Sequence, residues 1–393
     1  MTAAPIRRIW RATALCAAAA ALSSGCGSLS SWNPLTWVGL ADSPANKPTP
    51  LTEIRATVVP KASWTASVGK AGGFRFRPDV EGGRVYAAAA DGVVTVLDEA
   101  GGSVVARHDT KKKLSGGVRA AEDKILVGTL KGEVIALDMN GRVAWATALA
   151  GEVIAPAAVS RKTAVMRTSD GRIFGLAIED GKRKWVYQRP APALLLRSEA
   201  GVLAIGADVV AGYSNGKLIA LDIDDGKLTW EVTVSPPRGT TELERIADVA
   251  GMPLLDGPRI CAVAFQGKVA CFEIQTRNVI WSRDVSSSRA LAADAKNVYV
   301  VDESSNVHAL DKTAGASLWK QDKLLHRRLT SPVVFAGKVV AGDGLGFLHV
   351  LSPEDGELIG RLATDGSAII SLVPTAAGLV VQTERGSVLM VRF

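Results

Sequence analysis

One short motif returns eight times along the 393-residue chain, and it restricts the fold more than any other feature. A turn ending in Gly leads into an apolar strand that closes on Leu-Asp, then come a second Gly and a Trp. Asn215-Gly216-Lys217-Leu218-Ile219-Ala220-Leu221-Asp222, followed by Gly226 and Trp230, is the clearest copy. The Leu position is filled by Leu97, Leu137, Leu176, Leu221, Phe272, Leu310, Leu351 and Val391, at steps of 40, 39, 45, 51, 38, 41 and 40 residues. A period of about forty residues with several short strands per unit predicts propeller blades. The expected fold is all-β: an eight-bladed β-propeller with four-stranded antiparallel blades.

The turn chemistry fits. Asp91-Gly92, Asp170-Gly171 and Asn215-Gly216 supply positive φ between paired strands. The acid after the Leu position (Asp98, Asp138, Asp222, Glu273, Asp311) is placed to accept backbone amides as the next turn begins. Trp145, Trp185, Trp230, Trp281 and Trp319 share one position, with Ala106 and Gly360 in two other units. A ring there can cover the seam to the next blade, hiding on the order of 200 Å². The last unit ends at Val388–Phe393 with no fourth strand left, while Trp64–Val68 is an orphan strand. The N-terminal strand is therefore expected to pair with the C-terminal blade and remove the open edge.

The N-terminus reads as an export signal. Arg7, Arg8 and Arg11 precede a short Ala-rich apolar stretch, Ala12–Leu22, and Ser23-Ser24-Gly25 leads into Cys26. The stretch is shorter than the roughly 20 apolar residues of a membrane span. Small residues before a Cys resemble the bacterial lipoprotein signal, which implies lipidation of Cys26. Gly27-Ser28 lacks the Asp of inner-membrane retention, so the outer membrane is expected. Residues 26–61, rich in Pro, Ser and Thr, form the expected tether, and 62–393 the propeller. Removal of residues 1–25 takes three Arg and no acid, lowering the formal charge from +7 to +4. No basic stripe with interleaved aromatics points to nucleic acid.

Cys261 and Cys271 lie on two arms of one hairpin. With a two-residue turn at Gln266-Gly267 they point to opposite faces, because side chains alternate. An odd-length turn brings them together. Two small core residues is the favoured expectation, with a disulfide open in an exported protein.

Chemistry-bearing motifs are sparse. The sequence holds no phosphate loop, nucleophile elbow, zinc helix or calcium loop. His308 and His349 occupy equivalent positions whose counterparts are Ile135, Phe174, Ile219 and Ala270, so they read as packed strand residues. No catalytic residue, metal or cofactor is expected. The long steps instead mark insertions, at 190–197 and 235–255, and extra loops on a regular scaffold are natural places for function.

The Ala-Leu-Asp…Gly…Trp repeat resembles that of quinoproteins and their non-enzymatic relatives. With the lipoprotein-like start, the Pro-rich tether and eight units, the mature chain resembles the BamB family, lipoprotein propellers of the outer-membrane β-barrel assembly machinery. That resemblance implies a non-catalytic scaffold at the periplasmic face of the outer membrane. It would bind the POTRA domains of the barrel-forming subunit and assist unfolded outer-membrane proteins. The family's Leu-x-Leu-Arg contact loop matches Leu194-Leu195-Leu196-Arg197, which implies partner-binding roles for Leu194, Leu196 and Arg197. Its Asp-Val-Asp element matches Asp248-Val249-Ala250, which implies a partner-binding role for Asp248, with Ala250 in place of the second acid. The competing expectation is a quinone-dependent dehydrogenase of the envelope. Such enzymes resemble this repeat but carry calcium ligands and a vicinal disulfide, and no Cys-Cys pair occurs here.

Overall fold

A computed structural model describes residues 47–190, 194, 196, 197 and 201–393. Their regular structure is entirely strand and turn, arranged in eight four-stranded antiparallel sheets. Blades 1 to 7 run consecutively, from Asp79–Asp109 through Leu114–Ala148, Ala158–Tyr187, Leu203–Thr233, Leu254–Arg283 and Ala292–Gln321 to Val333–Ala363. The eighth combines Ile369–Pro374, Leu379–Thr383 and Ser387–Arg392 with the N-terminal strand Lys61–Ser67. That strand pairs Trp64 with Met390 and Ser67 with Ser387, so the two ends of the chain seal the ring as expected.

The repeated Leu position forms the core between blades. Leu97, Leu176, Leu221, Leu351 and Val391 have no solvent exposure, and Leu137, Phe272 and Leu310 have 2% or less. Hydrophobic clusters span neighbouring sheets, as where Val210 and Leu218 of blade 4 meet Ile260 and Phe272 of blade 5. The strand faces are two-sided and buried, which suits Val, Ile, Leu and Ala.

Tryptophans close the seams. The indole N–H of Trp145 donates to Ile178 O at 2.8 Å, Trp185 to Ile223 O, Trp281 to Lys312 O and Trp319 to Pro353 O, each in the next blade. Trp64 makes the same bond to Glu99 O of blade 1, so the seam formed by the chain ends matches the others. Each ring lies flat on a glycine of the following turn. A Cβ at Gly226 or Gly315 would meet the Trp185 or Trp281 ring at 2.5 Å, and both glycines have positive φ. At the blade 4–5 seam Arg277 (φ 62°) takes the glycine's place, and its guanidinium stacks over Trp230 at 5.8 Å.

The two units lacking this Trp are completed differently. In blade 1, where Ala106 holds the position, His108 two residues on fills the space beside Gly141. In blade 7, Gly360 is covered by Val58 O and Pro60. Residues 48–60, expected as part of the tether, run along the ring there. The amides of Thr57 and Val58 donate to Ile359 O, Thr49 N donates to Leu325 O, and Arg327 Nη1 donates to Thr49 O. Apolar Ile54 packs into the blade 6–7 core, which holds this stretch down.

The cysteines depart from the favoured expectation: Cys261 and Cys271 form a disulfide, with Cα atoms 4.1 Å apart. The turn is Phe265-Gln266-Gly267, three residues rather than two, because Val263 pairs with Val269 and Ala264 N bonds Lys268 O. An odd turn places 261 directly opposite 271 on one face. His308 and His349 are packed strand residues, each bonded at 2.9 Å to the Asp six positions earlier, Asp302 and Asp343. The acids of the repeat accept turn amides, as at Asp222 with Asp224 N and Asp311 with Ala314 N.

Candidate functional site

Strand direction puts the connection between blades and the turn between the second and third strands of each blade on the same face of the ring. Three consecutive connections, at 149–157, 188–202 and 234–253, therefore lie side by side over blades 2 to 5. The second and third carry the two insertions read from the sequence.

Leu194, Leu196 and Arg197 lie outside any strand. Leu194 is 42% exposed, and Leu196 is half-buried. Arg197 is exposed and directed by Glu152 of the preceding connection, its Nε 3.0 Å and its Nη2 2.9 Å from Glu152 Oε2. An exposed pair of this kind adds under about 1 kcal/mol, so it orients the guanidinium without removing it from solvent. Leu195 and Cys26 lie outside the described residues, as do the expected signal and the tether before residue 47.

Asp248 joins these groups from beneath. Its Oδ2 accepts Leu196 N at 2.7 Å and its Oδ1 accepts Asn215 N at 3.3 Å. Asp248 is 6% exposed, so it holds the loop instead of facing outward. Burial pushes its carboxyl above the ordinary carboxylate value, against the pull of the Leu196 and Asn215 amides and the Arg167 charge. Arg167, at the end of a blade 3 strand, is itself buried, and its guanidinium lies 5.8 Å from the centre of the Tyr213 ring. Desolvation pulls its pKa below the usual arginine value. The backbone beside Asp248 is pinned as well: Val249 N donates to Tyr213 O and Phe265 N to Asp248 O. Gly212 permits the approach, since a Cβ there would meet Val249 O at 2.2 Å. Ala250 is 7% exposed, so the departure from the acidic pattern lies below the surface.

Two further residues build this face without a motif to mark them, Glu152 and Arg167. Glu152 sits in an unremarkable connection. Arg167 falls where other blades carry small or apolar residues such as Ala88, Gly212, Val263 and Gly342, and only a charged residue at a strand position expected to be buried hints at it. Among the described residues, no group of three His, Cys, Asp or Glu is placed to hold a metal.

Relatives fit the same picture. The family described as "Outer membrane protein assembly factor BamB" matches residues 90–321 and 305–393. The BamB of Bordetella pertussis is 38% identical over 387 residues, spanning 98% of this chain and 97% of that one. The Escherichia coli protein is 31% identical, spanning 87% of this chain and 91% of its own. The crystal structure of BamB from Moraxella catarrhalis superposes with a TM-score of 0.79 at 27% identity, covering 85% of this chain and all of that one. A quinohemoprotein alcohol dehydrogenase from Comamonas testosteroni reaches 0.67 at 13% identity, covering 84% of this chain and 76% of its own, a likeness of fold alone. With the family model matching most of the chain and a relative 38% identical over nearly its full length, the chain belongs to the BamB family of outer-membrane protein assembly factors.

Proposed function

We propose that this chain is a non-catalytic scaffold in the assembly of outer-membrane proteins, gripping the POTRA domains of the barrel-forming subunit through Leu194, Leu196 and Arg197. It is exported on the signal at 1–25 and anchored by lipid on Cys26 to the periplasmic face of the outer membrane. Acyl chains contribute about 0.8 kcal/mol per buried CH₂, so several of them hold the protein firmly.

The observation that carries this reading is the pinned connection over blades 3 and 4. Leu194 and Arg197 are exposed on a segment fastened by Leu196 N to buried Asp248. Arginine is a residue type enriched at binding hot spots, and an exposed leucine on the same segment adds apolar surface for a partner to cover. Asp248 contributes by positioning. The names of the relatives supply the process.

The test is a titration of the mature chain, as wild type, Leu194→Glu and Arg197→Glu, against the purified periplasmic domains of the barrel-forming subunit. Each substitution is expected to weaken binding at least about tenfold. Undiminished binding by both variants removes the assignment.

A further inference from the structure

Within the insertion that carries Asp248, a few residues before it, a built turn presents a leucine to solvent. Leu243 is 66% exposed, more than Leu194. The turn around it is closed by a reciprocal capping box. Glu244 N donates to Thr241 Oγ1 at 3.2 Å, while Glu244 Oε2 accepts Thr241 N at 3.1 Å and Thr240 N at 2.8 Å. These amides hold the Glu244 carboxyl below its ordinary value. Arg245 N donates back to Thr241 O, completing one turn.

A second element clamps the same turn. The Gln266 side-chain nitrogen, in the amide orientation its carbonyl neighbours require, lies 3.0 Å from Leu243 O, 3.1 Å from Ile246 O and 3.3 Å from Glu244 O, and its two N–H groups are shared among them. Gln266 can do this because it sits at φ 50° in the three-residue turn that also sets the Cys261–Cys271 pairing, its own amide bonded to Ser286 Oγ. One side chain thus bridges the carbonyls around an exposed leucine.

A single exposed leucine is ordinary on a protein surface. Holding one rigidly outward is not, because a loop that needs only to be soluble gains nothing from ordering it. The strand of chain after Leu243 passes through half-buried Ile246 and buried Ala247 directly to Asp248, which holds Leu196. Leu243 and Leu194 therefore belong to one face, linked through one carboxylate.

We propose that Leu243 is a second apolar anchor for the protein partner that engages Leu194, and that Gln266 is its positioning residue. The occupant is that same partner, offering apolar surface for Leu243 to cover. The inference rests on the binding role proposed above for Leu194 and Arg197. Preorganisation lowers the ordering cost of binding, so the anchor gains affinity from the clamp as well as from its own burial.

The test uses the full mature chain titrated against the partner's periplasmic domains, with amide hydrogen exchange of residues 243–246 followed in parallel. Leu243→Glu is expected to raise Kd about tenfold or more with an unchanged melting midpoint. Gln266→Ala is expected to raise Kd about threefold and speed exchange at 243–246, and to have no further effect on Kd once Leu243 is Ala. Wild-type Kd for Leu243→Glu, alongside weakened Leu194→Glu, overturns this inference and leaves the proposed function standing. Wild-type Kd for Leu194→Glu and Arg197→Glu as well overturns both. A dimer of the chain alone that Leu243→Glu dissolves in sedimentation assigns the face to a second copy and overturns the inference.

Discussion

The backbone amide of Leu196 donates to the Asp248 carboxylate at 2.7 Å, joining two inter-blade connections across 52 residues of chain. The bond makes a buried acid responsible for the position of an exposed loop. An amide left without its acceptor at such a site costs about 1–3 kcal/mol. Asp248→Ala is therefore expected to weaken partner binding about tenfold even though the side chain is buried, while Asp248→Asn, which keeps one acceptor oxygen, falls between. Calorimetric titration with a thermal melt alongside checks this. Wild-type affinity in Asp248→Ala would show that the loop holds itself.

The seams give a paired stability test. Gly226→Ala places a methyl in the Trp185 ring at a residue with φ +72°, whereas Gly206→Ala, at φ +61°, meets nothing within 4 Å. Left-handed backbone alone costs a non-glycine residue about 1–2 kcal/mol, and overpacking adds about 1–3. Gly226→Ala should thus destabilise by about 2–5 kcal/mol and Gly206→Ala by about 1–2. Denaturant midpoints measure the difference. Equal losses would mean that the tryptophan yields and the seam is soft.

The disulfide closes a short hairpin within blade 5, and both cysteines are buried. A loop of this size stabilises by about 2–3 kcal/mol on the loop-entropy estimate. The double replacement Cys261→Ala with Cys271→Ala is expected to lose about that much and to become insensitive to reductant, whereas the wild type shifts when reduced. Identical melts of the wild type with and without reductant in denaturant would contradict it.

His349 supplies a pH dependence. It is fully buried against Asp343, with Arg327 on the same carboxylate and Arg361 also contributing to its field. Burial holds its imidazole below the ordinary histidine value. The unfolded chain then takes up the proton first, so the folded state loses stability as pH falls from about 6.5 toward the lower folded value, at about 1.4 kcal/mol for each unit between them. Denaturant midpoints between pH 7.5 and 5 should fall less steeply in His349→Gln. Parallel slopes would remove His349 as the source.

The architecture was legible because the repeat states it many times over. Leu221, Gly226 and Trp230 recur with their chemistry intact, and an orphan strand at Trp64 matched a missing one after Phe393. What was hidden depends on a single residue of register or on contacts far apart in sequence. The Gln266 turn has three residues, which no local composition announces, and that one residue decides whether Cys261 faces Cys271. Gly360 reads as a missing tryptophan, yet its place is taken by Val58 and Pro60, some three hundred residues away. The loop at Leu194 was visible as an insertion. The roles of Glu152 and Arg167 beneath it arise only when three connections are brought together. The motif gives the residue type at Asp248 but not its depth, and the 6% exposure that makes it a support for the loop comes only from the fold.

Site-specific photocrosslinking in the native envelope tests the central claim most directly. A photoreactive residue replaces Leu194, with a control at Lys182 on the opposite face of the ring. The account predicts an adduct with the barrel-forming subunit, mapping to its periplasmic domains, from position 194 and none from 182. An adduct with that subunit from 182 and none from 194 would contradict it.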